Sequence, residues 1–177
     1  MKTAREIANW FILKNRIEAG DCRENYLTPM ALQKLLYFAQ GYYLGCYNRP
    51  LFRDAIEAWK HGPVVRNVYN AYSQFGGCGI DIVPDCNESN FSPQELRTLN
   101  TVYDRFAQYS GIKLSQITHE HGSPWDTTAR NEVIVLEKMR DYFEDCMISE
   151  EEEKELLNLE RSVKDKQPIL YSRELYQ

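Results

Sequence analysis

From Thr28 to Cys46 the chain reads TPMALQKLLYFAQGYYLGC, and apolar residues fall on every side of a helical wheel. Leu32, Leu35, Leu36, Ala39 and Tyr43 recur at helical spacing, while Tyr37, Gly41 and Leu44 make the opposite side apolar as well. Thr28 is a capping residue, and Pro29 suits the first helical position, where its missing N–H leaves no bond unmade. A helix apolar nearly all round is buried on several sides. The pattern therefore predicts a central helix with other segments packed about it, in a mainly α domain with minor short β strands.

Those other segments are shorter and one-sided. Thr3-Ala-Arg-Glu6 is a capping box, and Ile7, Trp10, Phe11 and Ile17 mark the core side of a first helix that ends at Gly20-Asp21. Tyr47-Asn48-Arg49-Pro50 signals a turn. Leu51 to Trp59 has the spacing of an extended piece, half of a small ribbon. Gly62-Pro63 predicts the start of the next helix, with Val64, Val68, Tyr72 and Phe75 on one face and Gly76-Gly77 as its stop. Ile80 and Ile82 alternate as in a short strand. Ser92-Pro-Gln-Glu95 is a second capping box; Leu96, Leu99, Tyr103 and Phe106 follow, and Gly111 closes that helix. Lys113 to Glu120 predicts a short helix, and Val133 to Phe143 a β-like start that continues as a helix with Met139, Tyr142 and Phe143 inward. From Glu144 the composition turns acidic. Residues 1–145 therefore form one unit, and residues 146–177 a charged helical extension and tail.

Composition narrows the function classes. A hydrophobic fraction of 43% and a charged fraction of 27% over 177 residues suit one globular domain with a sizeable core. No apolar run has transmembrane length and no secretory leader is evident, so the expected location is the cytoplasm, with no membrane partner. The net charge of −5 gives no basic field for nucleic acid. The central helix carries only Lys34 and the next only Arg66, which argues against a helix-turn-helix reader, the form a DNA-binding autoregulator of its own operon would take. Five scattered cysteines without C-x-x-C spacing read as reduced thiols.

Candidate chemistry is thin. His61 at a chain turn and the His119/His121 pair are the available imidazoles. A small histidine-dependent enzyme is the alternative they permit, but no nucleophile elbow or catalytic-cysteine signature accompanies them. Histidines two apart diverge on a helix, so they are poor joint metal ligands. Gly76, Gly77 and Gly79 follow a helix and lack the G-K-[ST] of a phosphate loop. The expectation is no catalytic residue, no metal and no cofactor. Twelve tyrosines and three tryptophans tilt the reading toward protein–protein contact.

Four ordered motifs carry a resemblance. Leu32-Gln33-Lys34-Leu35-Leu36-Tyr37-Phe38 resembles the L-x-K-L-x-Y-F signature of the Panacea domain, the SocA-like antitoxin domain also met in phage-associated GepA-like proteins. Ala58-Trp59-Lys60-His61-Gly62-Pro63-Val64 is similar to its A-W-x-x-G-P-V motif. Leu114-Ser115-Gln116-Ile117-Thr118-His119 with Ser123-Pro124-Trp125 resembles its L-S-x-x-T-H…P-W segment, and Ile134 to Phe143 its closing helix. Val135 departs from the small polar cap usual at that helix. The resemblance implies a compact helical domain that neutralises a toxin encoded nearby by binding it, in one member as an adaptor that hands the toxin to a ClpXP-type protease.

The motif residues Leu32, Lys34, Leu35, Tyr37, Trp59, His61, Gly62, Pro63, Val64, Ser115, His119, Pro124 and Trp125 read as mainly architectural, with Trp59 and Trp125 large buried anchors. The toxin's contact surface then falls outside them. A candidate is the C-terminal helix after Ser149, whose single apolar stripe is Leu156, Leu159 and Val163 and whose Glu-rich start includes Glu151 and Glu152.

Overall fold

The computed structural model of the protein describes residues 1–146 and 148. The segment carrying Glu151, Glu152, Leu156, Leu159 and Val163 lies outside the described residues. Helix α1 spans Ala4–Ala19 and α2 spans Pro29–Tyr47. A hairpin of β1 (Glu57–Trp59) and β2 (Gly62–Val64) follows, then α3 (Arg66–Tyr72), α4 (Pro93–Phe106), α5 (Gly111–Thr118) and α6 (Leu136–Cys146).

α2 is the hub. Every residue from Ala31 to Leu44 is buried, and α1, α3, α4, α5, α6 and β2 all pack on it. Its cap forms as expected: the Thr28 side chain accepts from the Ala31 amide, and Asn48 ends the helix in the left-handed region at φ 50°. Two capping boxes start α1 and α4, at Thr3 with Glu6 and at Ser92 with Glu95. In the first, the Thr3 amide holds the Glu6 carboxyl below the usual carboxylate range. α6 lies close enough to α2 that a methyl group on Gly41 would run into the Phe143 ring. Phe143 also meets Tyr37, Phe38 and Tyr42 edge to face, and Phe38 stacks on Phe106 at 4.1 Å.

Burying α2 completely also buries its polar residues, and each needs a bond. Gln40 accepts from the Leu51 and Phe52 amides at 3.0 and 3.1 Å and donates to the Phe52 carbonyl at 3.1 Å. Gln33 accepts from the Val65 amide at 2.7 Å. These two amides fasten the irregular chain on either side of the hairpin to the hub. Gln40→Leu should leave two buried amides unbonded and cost about 2–3 kcal/mol. Chemical denaturation would show it, and a loss under about 0.5 kcal/mol would mean water takes over the role.

The structure corrects several expectations. Ile17 is exposed, because the apolar face of α1 turns away from the core in its last turn. Gly62 and Pro63 begin no helix. Gly62–Val64 pairs antiparallel with Glu57–Trp59, and helix α3 starts at Arg66. Ile80 and Ile82 form no strand. The loop is instead tied to α1, where Trp10 Nε1 donates to Glu88 at 3.0 Å and Arg16 pairs with Asp81 at 2.9 Å, and to the chain before α2, where the Ile80 amide donates to the Leu27 carbonyl. α4 ends at Phe106, and Gly111 opens α5, where it abuts Met30 and Ala31 of α2. The β-like start before α6 is present as an isolated bridge between Glu57 and Val133. Val135 accepts from the Met139 amide at 3.2 Å through its backbone, so α6 starts without a polar cap from that residue.

Candidate functional site

Three of the four sequence motifs, far apart along the chain, meet at one place: the hairpin, the first half of α2, and α5 with the turn after it. The hairpin reverses at Lys60-His61, and Gly62 takes φ 104°, open to glycine and strained for other residues. That backbone brings the Pro63 carbonyl over α2, where Lys34 Nζ donates to it at 3.1 Å. Lys34 is 1% exposed, and among the described residues no carboxylate pairs with it. Burial alone pulls its ammonium down to about 7.

α5 closes the site from the other side. The Ser115 hydroxyl donates to the His61 carbonyl at 2.9 Å, and the Thr118 hydroxyl to the Ser115 carbonyl at 2.8 Å. Ser123, fully buried, donates to the Thr118 carbonyl at 2.9 Å and accepts from the Asp126 amide at 3.1 Å. His119 stacks on Trp125 with ring centroids 3.6 Å apart. Trp125 Nε1 donates to the Trp59 carbonyl at 2.9 Å, which joins this turn to β1. Trp59 Nε1 and Arg66 both donate to Glu57, at 2.8 and 2.6 Å, and hold its carboxyl below the ordinary range.

The motif residues are thus brought together, and most act on backbone or core. Leu32, Leu35, Tyr37, Gly62, Pro63, Val64 and Pro124 are buried; Ser115, His119, Trp59 and Trp125 are half-buried; His61 is exposed and contributes its carbonyl. The two tryptophans are therefore partly exposed anchors, and Trp10 is the fully buried one. His119 and His121 part company. His121 lies in solvent beside Asp126, whereas His119 is held low by burial and by the proximity of Lys34 and His61. Two buried atoms, Tyr37 Oη and His119 Nε2, have no hydrogen-bond partner among the described residues. Burial, with Tyr142 nearby, pushes the Tyr37 phenol well up.

Chemically the cluster offers an amine brought down to about 7 by burial and an imidazole held below its ordinary range. Its hydroxyls are committed: Ser115, Thr118 and Ser123 all give their protons to main-chain carbonyls. No three His, Cys, Asp or Glu side chains among the described residues gather as metal ligands. None of the described helices is long and apolar enough to cross a membrane.

The sequence pattern described as "Antitoxin SocA-like, Panacea domain" matches residues 32–126, which takes in the α2 motif, the hairpin and α5 through Trp125. The chain belongs to the SocA-like Panacea family. Antitoxin SocA of Caulobacter vibrioides (strain NA1000 / CB15N) is 33% identical over 136 residues, covering 71% of this chain and 70% of that protein. No solved structure matches the chain significantly. For this Panacea domain, the family motifs therefore map onto the joint between hairpin, hub helix and α5. Lys34 and Ser123 are the residues whose parts sequence reasoning did not foresee. A lysine in an otherwise apolar helix is the visible signal for the first; for Ser123 the sequence shows only the Ser-Pro-Trp segment and nothing of its burial.

Proposed function

We propose that this protein is an antitoxin that neutralises a cognate toxin by direct protein–protein contact. Membership in an antitoxin family carries the reading. The commitment of the motif residues to internal bonds supports it, because a domain whose shared residues hold the fold together leaves its surface free for recognition. On this reading the protein acts by binding, in the cytoplasm, as one half of a toxin–antitoxin pair, and the tail after residue 145 is a second segment available for contact. The gene beside this one, expressed alone, should arrest growth, and co-expression of this protein should restore it. A harmless neighbour, or growth arrest that co-expression does not relieve, overturns the proposal. Toxin lifetime separates two modes. A ClpXP-dependent fall in the presence of this protein marks an adaptor, and an unchanged lifetime marks steric neutralisation.

A further inference from the structure

The two buried side-chain atoms without a hydrogen-bond partner among the described residues, Tyr37 Oη and His119 Nε2, both neighbour Lys34. On α2, Tyr37 follows Lys34 by three residues. Helical side chains lean toward the N-terminus, so the phenol leans back over the turn that carries the lysine. On the other side, a Cβ on Gly62 would stand 2.6 Å from Lys34 Nζ and 3.0 Å from Thr118 Oγ1, which sets the end of α5 against the ammonium. His119 is the next residue, near enough to Lys34 to feel its charge. α6 closes the ring: Tyr142 sits near the Tyr37 phenol and donates to Glu120, the residue after His119, at 3.4 Å.

Donors outnumber free acceptors in this enclosure. Of the three N–H groups on Lys34, one finds an acceptor among the described residues, the Pro63 carbonyl at 3.1 Å. The Tyr37 phenol, pushed well up by burial, keeps its proton, and a neutral imidazole can carry its own on Nε2. The carboxylates of the turn are engaged elsewhere. Glu120 accepts from Tyr142, and Asp126 accepts from the Gly122 amide at 3.0 Å and stands 3.3 Å from His121. A buried ammonium without a counter-charge, beside two idle donors, is stabilised by an acceptor that brings negative charge. We infer that this cluster binds one small monovalent anion, the size of chloride or formate, held by Lys34 Nζ, the Tyr37 hydroxyl and His119 Nε2–H. Lys34 and Tyr37 are each 1% exposed, so the enclosure excludes larger anions. The inference does not depend on the antitoxin reading.

Binding should follow the charge on Lys34. The titratable groups that face the site are Lys34 and Tyr37 from α2, His61 from the hairpin, His119, Glu120 and Asp126 from α5 and its turn, and Tyr142 from α6. The full chain is melted at pH 6 while sodium chloride or formate replaces sodium gluconate at constant ionic strength. Tm should rise saturably, by about 4 °C at ten times Kd. At pH 9, where Lys34 is neutral, the rise should vanish. Saturating chloride should also raise the pH at which wild-type stability begins to climb, because binding to the charged form lifts the folded lysine's value. Lys34→Met should melt alike in chloride and gluconate, whereas a general salt effect would act on wild type and variant equally. Tyr37→Phe should raise the half-saturating chloride concentration about tenfold. A third arm needs no variant: bromide located by anomalous scattering in wild-type crystals at pH 6 should stand beside Lys34 Nζ. Equal melting of wild type in chloride and gluconate overturns the site. So does a rise that survives at pH 9 or in Lys34→Met, an unchanged half-saturation in Tyr37→Phe, or bromide found only elsewhere.

Discussion

Replacing Lys34 with methionine should stabilise the protein at pH 7, by about 2 kcal/mol. The lysine is buried without a counter-charge, and its ammonium falls from the ordinary 10.5 to about 7. The sign follows from proton counting. Below about pH 7 both folded and unfolded chains hold the proton, and the full cost of burying the charge is present. Between about 7 and 10.5 the unfolded chain keeps a proton that the folded chain has shed, so stability rises with pH. Over that window the single group is worth about 4–5 kcal/mol. Methionine removes the cost but leaves the Pro63 carbonyl without its donor, which returns about 1–2 kcal/mol. The nearby end of α5 favours a cation, which trims the gain further. His119 faces the same site, and burial first, with Lys34 nearby, holds it below the ordinary imidazole range and so below the window. The tyrosines with raised phenol values act against stability only near its top. Urea denaturation from pH 7 to 9.5 should show wild-type stability climbing with pH and the Lys34→Met profile lying flatter. A flat wild-type profile, or a methionine variant less stable at pH 7, would refute this account.

Gly62→Val should destabilise by about 4 kcal/mol. Two costs combine. A φ of 104° lies where a β-branched residue is strained, at about 1–3 kcal/mol. A Cβ there would also sit 2.6 Å from Lys34 Nζ and 3.0 Å from Thr118 Oγ1. Overpacking of this kind costs about 1–3 kcal/mol. The ammonium end can shift, but doing so breaks its bond to the Pro63 carbonyl. The two costs can be separated with Lys34→Ala. If the steric part is real, the double variant should be less unstable than the sum of the singles by about 1–2 kcal/mol. Strict additivity would mean that backbone strain alone excludes side chains at position 62.

Local signals were legible in the sequence wherever they act locally. The capping boxes at Thr3 and Ser92 need only residues three apart, and both form. The all-round apolar pattern of α2 announced its central place without saying what would cover it. Gly62-Pro63 misled because proline after a break suits a helix start and a strand end equally. What decided it was pairing with Glu57–Trp59, a contact the local pattern does not contain. Gly111 misled in the same way, since glycine ends helices more often than it opens them; here close approach to Met30 requires it. Lys34 was visible as a motif letter, but its burial was not, because lysine is almost never enclosed without a partner. The unpartnered Tyr37 and His119 atoms beside it were illegible throughout. They come from separate stretches, and only packing encloses both.

Because α2 is enclosed along its length, its amides have no small opening through which to reach solvent. Exchange at positions such as Leu35 or Ala39 should need the whole domain to come apart, whereas exposed amides in the loop from Gly76 to Phe91 need only local opening. A protease meeting the native chain would therefore cut at that loop before the hub, and destruction of the hub would run at the pace of global unfolding. On the proposed antitoxin reading, that pace fixes how long protection outlasts synthesis.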